Sequence, residues 1–196
     1  MGVDWGKQTT YVITDKEGTV LTAGKIDSQA EDEVEIVTEL MLRYNVVQCV
    51  ADLGYGARQI KELQEEFGDR VASCYYPSRP RNPYQFTKRD SNRNLIYMAS
   101  IDKTTYCEKT IDMIDRGKIT IPWRTKELQW LVDECCNLNS SRERDENTSI
   151  AKSSTVMTRY GRDGDDHSFH AILYALLAAE VAGESDLPMM RTLFGA

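Results

Sequence analysis

Apolar and polar positions alternate in short blocks through the first hundred residues, and the blocks predict strands interleaved with helices. Residues 1–5 and 9–14 are apolar and β-branched and predict two strands. The turn Lys16-Glu17-Gly18-Thr19 leads into a third strand over 19–26, which completes an antiparallel meander. Ser28 is placed to cap a helix reaching about Tyr44, with Val34, Val37, Leu40 and Met41 on one face. Residues 46–52 form a near-continuous apolar run, the pattern of a strand buried on both faces in a parallel arrangement. A helix over 57–67 and a strand over 71–76 follow, so this part of the chain reads β-β-β-α-β-α-β.

Residues 77–94 hold Pro77, Pro80 and Pro83 and predict the least regular stretch. A strand over 94–101 and a helix over 103–116, ended by Gly117, come next. Thr125 is placed to cap a helix to about Cys136, and residues 137–147 read as a loop or hairpin tip. A strand over 151–160 precedes a final Ala- and Leu-rich helix over 166–181. The elements predict an α/β fold with a mixed central sheet, an antiparallel meander plus parallel strands, flanked by helices. They predict one domain over 1–183 and a loosely held tail over 184–196.

Composition narrows the compartment more than the chemistry. The 196 residues are 41% hydrophobic and 28% charged, enough to bury a core without disulfides. Cys49, Cys74, Cys107, Cys135 and Cys136 are odd in number and form no CxxC pair, which argues against a disulfide framework and a zinc finger. Reduced, mostly buried thiols in a cytosolic protein are expected. No apolar run approaches the roughly 18 residues of a membrane span. The chain begins directly in a strand pattern, which predicts no signal peptide and suggests a piece of a longer protein. A net charge of −7 excludes a whole-molecule basic field, so any nucleic-acid contact needs a local patch.

Three segments carry candidate chemistry: Gly2-Val3-Asp4-Trp5-Gly6, Val50-Ala51-Asp52-Leu53-Gly54 and Gly164-Asp165-Asp166-His167-Ser168-Phe169-His170. Asp4 sits in a strand, where aspartate is disfavoured, and either joins a site or makes a strand-end turn bond. Asp52 closes the buried strand, where open α/β sheets build their sites, or else caps the next helix. From Asp166, helical spacing draws one stripe through Phe169, Leu173, Leu176 and Glu180, which turns Asp166 toward the sheet. A carboxylate there needs a cation or hydrogen bonds. Asp165 reads as a helix N-cap or a ligand. His170 is one turn from Asp166, and it and His167 are the only histidines. Each is a ligand, a proton shuttle or a packing residue. Carboxylate oxygens suit hard cations, Mg²⁺ or Mn²⁺, and three such groups brought together by folding point to metal-assisted phosphodiester hydrolysis. Candidate phosphate contacts are Arg79, Arg81, Lys88, Arg89 and Arg93, with Arg142, Arg144, Lys152, Arg159 and Arg162, each of which also reads as a solvated loop charge.

Together with Ile101-Asp102-Lys103-Thr104 and Gly117-Lys118-Ile119-Thr120-Ile121-Pro122, these motifs resemble the ribonuclease H-like nuclease superfamily. Within it they resemble the C-terminal nuclease domain of a tailed-bacteriophage large terminase, over roughly residues 1–182. The resemblance implies that Asp4, Asp52 and Asp166, with Asp165, hold two divalent metals and cut double-stranded DNA without sequence preference. Two such cations about 3.5–4 Å apart would clamp the scissile phosphate. It also implies an ATPase motor on a separate N-terminal domain, a portal and a small terminase subunit as partners, and the host cytoplasm as the place of action. No GxxxxGK[ST] loop occurs in these residues. The chain departs from the family pattern at His170, where an aspartate is usual.

Two other readings compete. A Holliday-junction resolvase shares the fold and an acidic site. An actin-like or sugar-kinase ATPase half also opens on Gly-x-Asp-x-Gly, with Thr9 and Thr10 in place of a phosphate-holding loop. That class needs two such domains, for which 196 residues are too few.

Overall fold

Asp32, not Ser28, starts the first helix. Its carboxylate accepts from the N–H groups of Val34 and Glu35 at 3.0 and 3.2 Å, and the helix α1 runs Glu33–Arg43. The Ser28 hydroxyl is diverted to the carbonyl of Lys7 at 2.6 Å. This computed structural model describes residues 1–78, 84–91, 94–122, 126–144, 156–162 and 165–185.

The meander forms as the pattern requires: β1 (Gly2–Asp4), β2 (Gln8–Thr14) and β3 (Val20–Asp27) pair antiparallel. The buried run becomes β4 (Cys49–Asp52), parallel to β1 and to β5 (Val71–Tyr75). The helix between them, α2, is longer than its apolar pattern suggests. It spans Leu53–Phe67 and begins immediately after Asp52, whose side chain caps it. The stretch expected to be irregular contains β6 (Tyr84–Ser91), a strand of eight residues paired antiparallel with β7 (Asn94–Ile101). The three prolines all precede β6, so none interrupts its ladder. Among the described residues the main sheet has seven strands in the order β3-β2-β1-β4-β5-β7-β6.

Further along, α3 (Lys103–Asp115) is capped by Asp102, and a 3₁₀ turn at Lys126–Leu128 leads into α4 (Gln129–Cys135). The proposed cap Thr125 lies outside the described residues. Of the residues expected to form a loop or hairpin tip, 138–144 supply the strand β8 (Leu138–Arg144), which pairs antiparallel with β9 (Val156–Arg162) in a separate two-stranded ribbon. The final helix α5 (His167–Ser185) takes in the first two positions assigned to the tail. Residues 186–196 lie outside the described residues.

The sheet is the middle of three layers. Val3, Trp5, Ala51, Ile60, Leu63, Val37 and Met41 pack on the face covered by α1 and α2. Val50, Ala72 and Cys74 pack on the other face against Phe169, Leu173 and Leu177 of α5. Cys49, Val50 and Ala51 of β4 are all fully buried and pack on alternate faces, as a strand covered on both sides demands. The stripe argument for α5 does not hold as drawn. From Phe169 to Ala178 every residue, His170 included, is buried, so this part of the helix is enclosed all round, between the sheet and the α3–α4 side. Its closeness to β1 requires Gly2: a Cβ there would lie 2.0 Å from the Ala171 carbonyl oxygen. Cys49, Cys74 and Cys107 are free and buried, as the composition implies. No helix among the described residues is long and apolar enough to cross a membrane.

Candidate functional site

Parallel register brings the first two aspartates side by side. Val3 pairs with Ala51, so Asp4 and Asp52 are the next residues on adjacent strands running the same way. Side chains alternate along a strand, so each shares the face of the residue two before it. For Asp4 that residue is Gly2, which touches α5, and for Asp52 it is Val50, which packs in the α5 core. Both carboxylates therefore face the start of α5, where Asp166 immediately precedes the helix. Asp166 holds the cap position expected for Asp165, and its carbonyl accepts the first intrahelical bond, from His170 N–H at 3.2 Å.

These elements enclose a cleft of about 290 Å³, lined by Asp4, Asp52 and Asp166 together with Lys103, His167 and His170. Aromatic rings of Trp5, Tyr55, Tyr76, Tyr160 and Tyr174 complete the wall. Each carboxylate has a partner of its own. His167 Nδ1 lies 2.8 Å from Asp4 Oδ2, and this bond raises the proton affinity of the imidazole above its ordinary value despite partial burial. His170 Nε2 lies 3.3 Å from Asp166 Oδ2, the contact that one-turn spacing predicts. Asp52 accepts from the Tyr55 N–H at 3.3 Å and from the Tyr174 hydroxyl at 3.5 Å. It is thus both a helix cap and a member of the cleft. Burial, and then the charge of Asp4, push its carboxyl above the usual range, against the backbone N–H bonds it accepts.

A chain of hydrogen bonds joins the two carboxylate arms. His170 Nδ1 is 3.2 Å from the Tyr76 hydroxyl, which donates to the Tyr174 hydroxyl at 3.1 Å. Burial holds both phenols well above their ordinary pKa, so they stay neutral donors. Asp165, by contrast, is exposed and does not line the cleft; its carbonyl accepts from the Asn137 amide at 3.0 Å.

The basic residues are dispersed. Lys88 and Arg89 fall on β6, an edge strand; Arg142 and Arg144 fall on β8, and Arg159 and Arg162 on β9. Arg79, Arg81, Arg93 and Lys152 lie outside the described residues. Tyr76, Tyr174 and Lys103 are cleft residues that the sequence reading did not single out as site residues. Tyr76 and Lys103 follow the carboxyl ends of parallel strands, where a site residue is to be sought. That position is the signal that could have found them.

Among the described residues no three His, Cys, Asp or Glu side chains are drawn together as a formed metal cage. The donor chemistry nevertheless fits a hard divalent cation. Three carboxylates open into one cleft, and burial raises the Asp52 carboxyl above its usual range. No protein family, curated protein or solved structure matches this chain.

Proposed function

We propose that the chain is a metal-dependent endonuclease that hydrolyses phosphodiester bonds of double-stranded DNA without sequence preference. The observation that carries this reading is the meeting of Asp4, Asp52 and Asp166, from distant parts of the chain, in one cleft beyond the strand ends. The antiparallel meander joined to parallel strands and flanked by helices is consistent with the ribonuclease H-like fold. It suits the nuclease domain of a phage large terminase, whose motor domain, portal and small subunit would be its partners in the host cytoplasm.

Asp4, Asp52 and Asp166 would hold Mg²⁺ or Mn²⁺, which when bound supplies the charge to activate water and to neutralise a leaving 3′ oxygen. The chain's own residues orient these oxygens. His167 fixes Asp4, the Tyr55 N–H and the Tyr174 hydroxyl fix Asp52, and His170 fixes Asp166. Asp165 is better read as a surface residue than as a ligand. The kinase-like reading draws less support, because the Thr9 hydroxyl donates to Glu33 rather than facing a ligand.

Plasmid incubated with Mg²⁺ or Mn²⁺, without ATP, should be nicked, linearised and degraded. Addition of EDTA should stop the reaction. Cutting that survives EDTA, or that depends on ATP, overturns the reading.

A further inference from the structure

Four neighbouring strands, β1, β4, β5 and β7, run parallel. At or just past their carboxyl ends stand the cleft residues Asp4, Asp52, Tyr76 and Lys103, one from each strand, with Trp5 and Tyr55 beside the first two. Three of these four positions are explained by the carboxylates and by the phenol chain that ties them together. Lys103 is not. It is the first residue of α3, and the bond from Thr105 N–H to Asp102 Oδ1 at 2.7 Å fixes where that helix begins. Its side chain is half-buried, with Nζ 5.6 Å from the centre of the Tyr76 ring.

Elsewhere the half-buried Lys25 is spent on Glu134, and even the more exposed Lys109 pairs with Glu180. Lys103 shares a cleft with three aspartates, yet among the described residues it makes no ion pair. Desolvating an ammonium without a counter-charge is costly. An anion seated between Lys103 and the carboxylate arm would remove that cost. A phosphodiester is an anion, and the three carboxylates of the cleft repel it.

Resting on the nuclease reading above, we propose that Lys103 is the substrate-holding cation of the cleft, its ammonium donating to a non-bridging oxygen of the DNA phosphate. The contact sets which side of the carboxylates the strand lies on. The aromatic wall keeps the ammonium directed into the cleft.

The test uses the full chain with Lys103→Met, which keeps the stem, and Lys103→Arg, which keeps the charge. Binding of a duplex oligonucleotide is measured in EDTA between roughly 50 and 200 mM salt. Losing one phosphate contact should weaken binding in Lys103→Met and lower the slope of log affinity against log salt by about one. Lys103→Arg should keep both. With Mn²⁺, Lys103→Met should raise KM more than it lowers kcat. Thermal melts establish that each variant is folded, and Lys103→Gln replaces Met if that variant is not. A folded uncharged variant with unchanged slope and unchanged KM overturns the assignment, and so does an unaltered chain that binds no duplex. A chain that loses slope in Lys103→Met but never cuts with Mn²⁺ upholds the assignment and overturns the nuclease reading. Cutting by the unaltered chain, with an indifferent Lys103→Met, does the reverse.

Discussion

The two ends of α5 face opposite kinds of hollow. At its start, Asp166, His167, His170 and Tyr174 enter the 290 Å³ cleft with Asp4 and Asp52. At its far end, Ala175, Ala178, Ala179 and Ala182 line a groove of about 610 Å³ with Met1, Val46 and Val47. The groove is roughly twice the size and mostly apolar, yet no cluster of carboxylates opens into it. Volume alone would favour the wrong end. What distinguishes the cleft is the convergence of charged groups, each held by a named donor, at the carboxyl ends of parallel strands.

The largest effect should come from separating the cleft chemistry from its scaffolding. Asp52→Asn keeps a side-chain oxygen for the cap and removes a charge that Asp4 opposes. Cleavage of plasmid with Mn²⁺ should fall to background while the melting temperature holds or rises. Val47→Ala in the groove should leave the rate unchanged. An active Asp52→Asn protein would remove this carboxylate from the mechanism.

A second contrast concerns packing. Gly2→Ala drives a methyl group into the backbone of α5, which has no room to retreat, and should cost about 3 kcal/mol in a urea melt. Ala179→Leu, an exposed change at the groove, should stay within about 0.5 kcal/mol. Equal effects would mean that α5 does not rest on β1 as closely as described.

The smallest effect is the pH dependence of His167. Its folded pKa lies above the unfolded value, so the Asp4 contact contributes in full below about pH 6.5 and is lost as pH rises through the folded value. In EDTA, stability should therefore fall over that rise, and His167→Gln should flatten the change. An unchanged pH profile in His167→Gln would show that the imidazole carries no charge against Asp4.

How much of this was readable beforehand follows from what each level of structure needs. The meander, the parallel β4 and the pairing of Asp166 with His170 depend on local periodicity, and the sequence pattern sufficed. The start of α2 was missed because Gly54 and Gly56 look like loop residues. Gly56 is there for Trp5, whose indole lies where a Cβ would stand 1.8 Å away, a contact no local rule contains. The α1 cap was misplaced because the polar run from Ser28 to Asp32 offers several candidates, and the Lys7 carbonyl claims Ser28. Ribbon strand β8 is polar and looked like a loop. Tyr76 and Lys103 stood just past the carboxyl ends of strands, a position that could have marked them, whereas only the tertiary meeting marks Tyr174.

One consequence follows from where Asp166 stands in the order of synthesis. Asp4 and Asp52 come first along these residues, but the segment from Asp166 into α5 contributes the third carboxylate and also a partner for each of the three: His167 for Asp4, Tyr174 for Asp52 and His170 for Asp166. Until that segment has been made and has docked, the cleft is incomplete. Any cutting power would therefore await the docking of α5, and a product broken off before Asp166 would lack the third carboxylate.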